Sequence, residues 1–155
     1  LYRLVELAEP GWFEGRRRLP PSRSSRMRIL LAEDSSFMRE MIRAYLEADG
    51  YQVTGAENGQ HALSLLERDS YDLLVSDIRM PLMDGVELIR EIRLGGRFPD
   101  LPAVALTSLD SEEDRKLAMD AGYDEYMVKI DRERFLDVVA AMLGARSEKE
   151  AGHVG

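Results

Sequence analysis

Glu33 and Asp34, Asp77, Thr107 and Ser108, and Lys129 each stand just after a short apolar run or at its end. In an open parallel sheet, ligands bind outside the carboxyl ends of the strands, so residues at these positions are the ones able to share a pocket. Neighbouring strands lie about 4.8 Å apart, which lets such ends converge if the runs are adjacent. Carboxylates packed together repel, and a hard, oxygen-seeking cation cancels the excess charge. Magnesium suits this set because it needs few protein carboxylates, keeps several waters and accepts a phosphate oxygen. Lys129 cannot enter the metal shell, but it can pair with one carboxylate and later with a phosphoryl oxygen. Thr107 can donate a hydrogen bond to another phosphoryl oxygen. The chemistry this permits is attack of the Asp77 carboxylate on phosphorus, giving an acyl phosphate. No general base is required, since a carboxylate is already ionised. The chain's two histidines, His61 and His153, fall in a helical stretch and in the tail as surface residues.

Any one acidic residue after a strand is often just a helix cap. The argument rests on the set: acid, acid, hydroxyl and ammonium end four different runs, while the second run, ending at Gly55, has no comparable charged group.

The elements that must position these residues alternate short apolar runs with amphipathic stretches, the pattern of a parallel sheet covered by helices on both faces. The expected strands are Arg28 to Ala32, Tyr51 to Gly55, Asp72 to Ser76, Ala103 to Leu106 and Glu125 to Val128. Met38, Met41, Ile42, Tyr45 and Leu46 recur at helical spacing, as do Phe135, Val138, Val139, Met142 and Leu143, and both sets read as core faces rather than metal-binding stripes. Ser111 to Asp114 offers a capping pattern, and Asp131 can cap a last helix with Ile130 and Phe135 as a hydrophobic staple. Asn58-Gly59 and Asp84-Gly85 read as turns.

Length and charge bound the rest. The 155 residues suffice for one domain with a real core plus a short extension. No apolar run approaches the roughly 20 residues of a membrane-spanning helix, so a soluble protein without membrane insertion is expected. With no cysteine there is no disulfide framework, thiolate metal site or cysteine nucleophile, which is compatible with a cytoplasmic location. Leu1 to Arg28 carries +4, and the overall −8 leaves −12 to the remainder, a poor bulk partner for nucleic acid. The stretch from Gly15 to Arg26, with its arginines and Pro20-Pro21, reads as a solvated linker. Three segments follow: an extension over 1–26, one domain over 27–144, and a flexible polar tail over 145–155. Leu1 is not a natural start, so the chain reads as a piece of something longer.

Met27 to Gly144 resembles a CheY-like response-regulator receiver domain over nearly the whole length of that fold. The resemblance is carried by Ile29-Leu30-Leu31-Ala32-Glu33-Asp34-Ser35, by Asp72 to Gly85 with its Ser76-Asp77-Ile78-Arg79-Met80-Pro81 centre, by Ala105-Leu106-Thr107-Ser108, and by Tyr126-Met127-Val128-Lys129. It implies a flavodoxin-like, doubly wound α/β fold with five parallel strands in the order 2-1-3-4-5 and five helices. It also implies that Asp77 is the phosphoacceptor, that Asp34 and Asp77 ligate Mg2+ directly, that Glu33 acts through metal-bound water, and that the backbone carbonyl of Arg79 completes the protein's share. Thr107, Lys129 and Tyr126 would bind the phosphoryl group and switch. The partners implied are a histidine kinase as phosphodonor and a downstream protein on the fourth helix, fifth strand and fifth helix. Such a chain is a phosphoacceptor rather than an independent enzyme. The stretch Leu1 to Phe13 is similar to the end of the coupling domain of chemotaxis-type, CheA-like histidine kinases that carry a C-terminal receiver, which would make the donor part of the same polypeptide. The alternative is that Trp12 and Phe13 simply pack on the receiver.

Two departures stand out. Glu33 occupies a position where Asp is commoner, and Ile130 follows the lysine where the family usually has a cis proline. A cis bond before isoleucine costs about 3 kcal/mol. Two rivals remain. Aspartate-nucleophile phosphatases of the haloacid dehalogenase type need a second Asp two residues on, where this chain has Arg79. A pseudo-receiver would keep the fold without phosphorylation, yet every key position here is filled.

Overall fold

In the computed structural model of the chain, residues 27–95, 98–108, 111–128 and 131–154 are described, the stretch 145–154 by its backbone only. Strands β1 (Arg28–Ala32), β2 (Gln52–Ala56), β3 (Leu73–Ser76), β4 (Ala103–Thr107) and β5 (Glu125–Val128) alternate with helices α1 (Ser36–Ala48), α2 (Gly59–Arg68), α3 (Gly85–Leu94), α4 (Glu112–Ala121) and α5 (Arg132–Val154). All pairings are parallel, in the order β2-β1-β3-β4-β5, as expected. β1 and β3 are therefore central, and the chain reverses winding direction between them. Their starts are pinned reciprocally: the Arg28 amide donates to Asp72 Oδ2 at 2.8 Å and the Asp72 amide to the Arg28 carbonyl at 2.7 Å.

The near-continuous apolar runs of β1, β3 and β4 follow from burial on both faces. Side chains alternate, so each run feeds two cores. Leu30, Ala32, Leu74, Ala103, Ala105 and Tyr126 pack under α2, α3 and α4, meeting Leu66, Leu88, Ile89, Ile92 and Ala118. Ile29, Leu31, Leu73, Val75, Val104 and Leu106 face α1 and α5, meeting Ile42, Leu46, Phe135, Leu136 and Val139. Burying one such aliphatic side chain contributes about 1.5–3 kcal/mol, so these layers carry most of the stability. Val138 and Met142, read as core-facing, pack half-buried against the second layer, and Met38, Met41 and Tyr45 are likewise half-buried, Tyr45 packed on that layer too. Met38, Met41 and Tyr45 line a groove between α1 and α5, together with Phe135 and Val128.

Several boundaries shift. β2 starts at Gln52 rather than Tyr51, because the Tyr51 amide is spent on the Leu46 carbonyl at the end of α1 while Gln52 donates to Met27. β3 starts at Leu73, and Thr107 closes the β4 ladder instead of following it. Asn58-Gly59 and Asp84-Gly85 are helix starts rather than turns. Asn58 caps α2 by accepting from the His61 amide, and Asp84 and Glu87 form a reciprocal capping box on α3. The expected caps hold on α4, where Ser111 Oγ accepts from the Asp114 amide, and at Asp131, which accepts from the Arg134 amide. The final helix runs through Gly144, expected as the domain's end, to Val154. Its Ala, Arg, Glu and Lys residues there are good helix formers.

Candidate functional site

The acidic residues converge at the carboxyl ends of the two central strands. Glu33 and Asp34 follow β1, Asp77 follows β3, and one carboxylate oxygen from each lies within 4.8 Å of the others. Hydrogen bonds hold the two stems together: the Asp77 amide donates to the Ala32 carbonyl at 2.9 Å, and the Glu33 amide to Ala56 at 3.0 Å. Glu33 is 2 % exposed and Asp34 is exposed. The Ser35 amide donates to Glu33 Oε2 at 3.1 Å, and the Ile78 amide to Asp77 Oδ1 at 2.7 Å, so both side chains are aimed by neighbouring backbone.

A cation is already close. Arg39 on α1 donates from Nη1 to the Glu33 carbonyl at 2.7 Å. It reaches there across Gly55, where an added Cβ would lie 3.1 Å from Arg39 Cδ and 2.8 Å from Arg43 Nη2. The absence of a side chain at Gly55, one residue before the end of β2, thus has a use: it leaves the lane through which Arg39 and Arg43 pass. Arg43 donates to the Val53 carbonyl at 2.7 Å.

The donor set is all oxygen and anionic, which fits a hard divalent cation and would suit a soft one poorly. The longer Glu33, in the place where Asp is commoner, still brings its carboxylate into the cluster.

The loop from Asp77 to Gly85 is held at several points. The Gly59 amide donates to the Met83 carbonyl at 2.9 Å, and an added Cβ at Gly59 would sit 2.5 Å from that same oxygen. The Gly85 amide donates to Ile78 at 2.8 Å. Leu82, at the exposed apex, has a φ of 69°, a left-handed conformation that a branched side chain rarely adopts. Arg79 turns its side chain outward to Asp114 of α4, with 4.0 Å between Nη2 and Oδ1.

The remaining expected residues divide. Thr107 ends β4, one strand from β3 and at the same edge of the sheet, and is 1 % exposed. Tyr126 on β5 is paired with Ala105 and is 2 % exposed, so its ring is inside. Lys129 and Ile130 lie outside the described residues, and with them the geometry of the bond between the two.

Sequence reasoning passed over three contributors. Ser76, fully buried, donates from Oγ to the Asp77 carbonyl at 2.8 Å. Tyr123, 3 % exposed, donates its hydroxyl to the Gly85 carbonyl at 2.7 Å. Burial pushes the Tyr123 phenol up, the negative charges of Asp84 and Asp77 push the same way, and a hydrogen bond with Ser76 and the charge of Arg93 oppose them. Arg93 is the third. Its guanidinium donates to the carbonyls of Gly122, Phe98, Pro99 and Leu101 and to Asp124 Oδ2, over distances of 2.7 to 3.3 Å. Only the spacing of Tyr123 from Tyr126 on either side of a strand start hints at the second of these.

Residues 29–140 match the response regulator receiver domain family. An uncharacterized 14.6 kDa protein of Leptolyngbya boryana is 46% identical over 105 residues, 68% of this chain and 80% of that one. The response regulator MprA of Mycobacterium leprae is 43% identical over 103 residues, 66% of this chain but 44% of its own length, so the chain spans less than half of that relative. Among solved structures, the receiver domain of a sensor histidine kinase from Pseudomonas aeruginosa, with a magnesium ion coordinated in its active site cleft, is 33% identical with a TM-score of 0.71, covering 76% of this chain and 98% of that one.

Proposed function

The chain belongs to the response regulator receiver domain family of two-component signalling, and we propose that Asp77 is its phosphoacceptor and Mg2+ its cofactor. The observation that carries this reading is the convergence of Glu33, Asp34 and Asp77 at the ends of the central strands.

A carboxylate oxygen of Asp77 attacks the phosphorus of a phosphohistidine. The P–O bond forms as the P–N bond breaks, and the electron pair returns to the imidazole nitrogen of the donor, which then takes up a proton from solvent. A magnesium ion held by Asp34, Asp77, the Arg79 carbonyl and, through water, Glu33 would supply charge neutralisation for the phosphoryl oxygens. Ile78 aims the nucleophile through its amide, and Ser76 holds the peptide behind it. Thr107 and Lys129 are the groups that bind the transferred phosphoryl oxygens in this reading, and Tyr126 is the aromatic that follows Thr107 as the population shifts toward the phosphorylated state.

The donor is a histidine kinase, drawing on ATP in the cytoplasm, and the output surface is α4, β5 and α5. If the N-terminal stretch is the end of a chemotaxis-type kinase, that donor is in the same polypeptide. Among the described residues no helix is long and apolar enough to cross a membrane.

Phosphotransfer from candidate histidine kinases, and from acetyl phosphate, should add one phosphoryl group to the chain in the presence of Mg2+, read by intact-protein mass. Asp77→Asn, which keeps the Oδ1 acceptor for Ile78, should gain none. A wild-type chain that stays unmodified by every donor and shows no spectral response to beryllofluoride would end the reading.

A further inference from the structure

Tyr123 brings a hydroxyl into a largely aliphatic layer. It follows Gly122, whose φ of 133° turns the chain out of α4, and it sits among Leu88, Ile89 and Ile92 on the α3 side of the sheet. A phenylalanine or leucine would fill that volume without desolvating a polar atom. Burying a phenol is offset only when its hydroxyl finds a partner. The partner is the Gly85 carbonyl, 2.7 Å away and 38 residues distant in the chain.

Gly85 is seated on the phosphoacceptor's own backbone. A Cβ built there would lie 2.2 Å from the Asp77 carbonyl oxygen and 3.0 Å from Ile78 Cα, and the Gly85 amide donates to the Ile78 carbonyl. Where Gly85 goes, the Asp77–Ile78 peptide must go too. The Ser76 hydroxyl reaches the same peptide from the strand side, 2.8 Å from the Asp77 carbonyl, and lies near the Tyr123 phenol. One hydrogen-bonded route, through the Gly85 carbonyl, thus leads from the Tyr123 hydroxyl to that peptide, and Ser76 braces the peptide from the other side.

We infer that Tyr123 is a positioning residue: its hydroxyl, through the Gly85 carbonyl, fixes the backbone from which the Asp77 carboxylate and the Arg79 carbonyl project. The inference rests on the reading of Asp77 as phosphoacceptor. It extends the site to the turn between α4 and β5, a place that touches neither metal nor phosphoryl group. The phenol is protonated, and so a donor, throughout the physiological pH range.

The test is Tyr123→Phe in the full chain, which removes the oxygen and keeps the ring. Magnesium affinity is read from the Asp77 and Ile78 amide signals, and phosphorylation by acetyl phosphate is timed at saturating magnesium. Loss of one positioning hydrogen bond should raise the magnesium dissociation constant about three- to tenfold and slow the saturated rate by a similar factor. Ile92→Val, in the same layer, supplies a comparably softened core without touching the hydroxyl, and should leave both values within about twofold of wild type. Tyr123→Phe values within about twofold of wild type on both measures would overturn the inference, as would equal losses in Ile92→Val. If wild type binds magnesium but forms no acyl phosphate, the phosphoacceptor reading fails on its own, and the affinity comparison still decides the role of Tyr123.

Discussion

The guanidinium of Arg115 lies 5.1 Å from the centre of the Tyr126 ring, and its Nη2 donates to the Tyr126 carbonyl at 3.4 Å. α4 therefore grips the second residue of β5 by both ring and backbone. The neighbouring residue Asp114 meets Arg79 from the loop after β3, so one turn of α4 touches both the acidic end of the sheet and the aromatic. An exposed cation–π contact is worth about 0.5–1 kcal/mol. Arg115→Ala should accordingly lower the ratio of inward to outward Tyr126 about two- to fivefold. Side-chain exchange of Tyr126 in NMR spectra, with and without beryllofluoride, measures it, and an unchanged ratio would show that packing alone holds the ring.

Glycines at two helix positions should respond oppositely to alanine. At Gly85 the new methyl would collide with the Asp77 carbonyl at 2.2 Å, and backbone cannot swing aside as a side chain can. Gly85→Ala should cost about 2–4 kcal/mol or prevent folding. At Gly144, inside α5, nothing lies within 4 Å of an added Cβ. Gly144→Ala should stabilise by about 0.5–1 kcal/mol. Urea denaturation of the two variants checks both signs.

Arg93 staples the segment before β4 to the turn before β5 through four backbone carbonyls and a carboxylate. Lysine keeps the charge but not the planar fork. Arg93→Lys should cost about 1–3 kcal/mol, since several carbonyls lose a charged donor. A melting temperature equal to that of wild type would mean that water replaces the lost bonds without penalty.

Alkaline stability should carry the signature of Tyr123. Its folded pKa is raised, by burial above all. Between the ordinary tyrosine value of about 10 and the higher folded one, the unfolded chain loses a proton that the folded chain keeps. Stability is unaffected below that window and falls as pH rises through it, by up to about 1.4 kcal/mol per pH unit for one group. Tyr123→Phe should make the fall between pH 9 and 11 shallower than in wild type. Parallel curves would place the ionisation elsewhere.

The strands and the polar residues at their tips are legible in the sequence because each depends on a pattern local to one run, apolar residues in series and then a polar residue; the strand order, which no single run encodes, follows only from the family resemblance. What could not be read depends on distance. Tyr123 looks like one more core aromatic until Gly85, far along the chain, is known to lie above it. Gly59 and Gly85 look like turn formers, since a glycine after Asn or Asp ordinarily signals φ above zero. Neither has such an angle; they are glycines because another segment's carbonyl occupies the space. Arg93 reads as a solvated helix residue for the same reason, its acceptors all lying outside its helix. Tyr51 reads as the start of β2 because a β-former beside a strand gives no sign that the preceding helix has already claimed its amide.

β5 closes one side of the sheet, with α4 against one face and α5 against the other. A protein docking along that margin would grasp the fold as a hand grasps the edge of a page, with a finger on each surface. Reorientation of a single ring on one surface would then be felt against the other surface. Such a partner could tell a change within the domain from mere tumbling of the whole, using no more of the molecule than its rim.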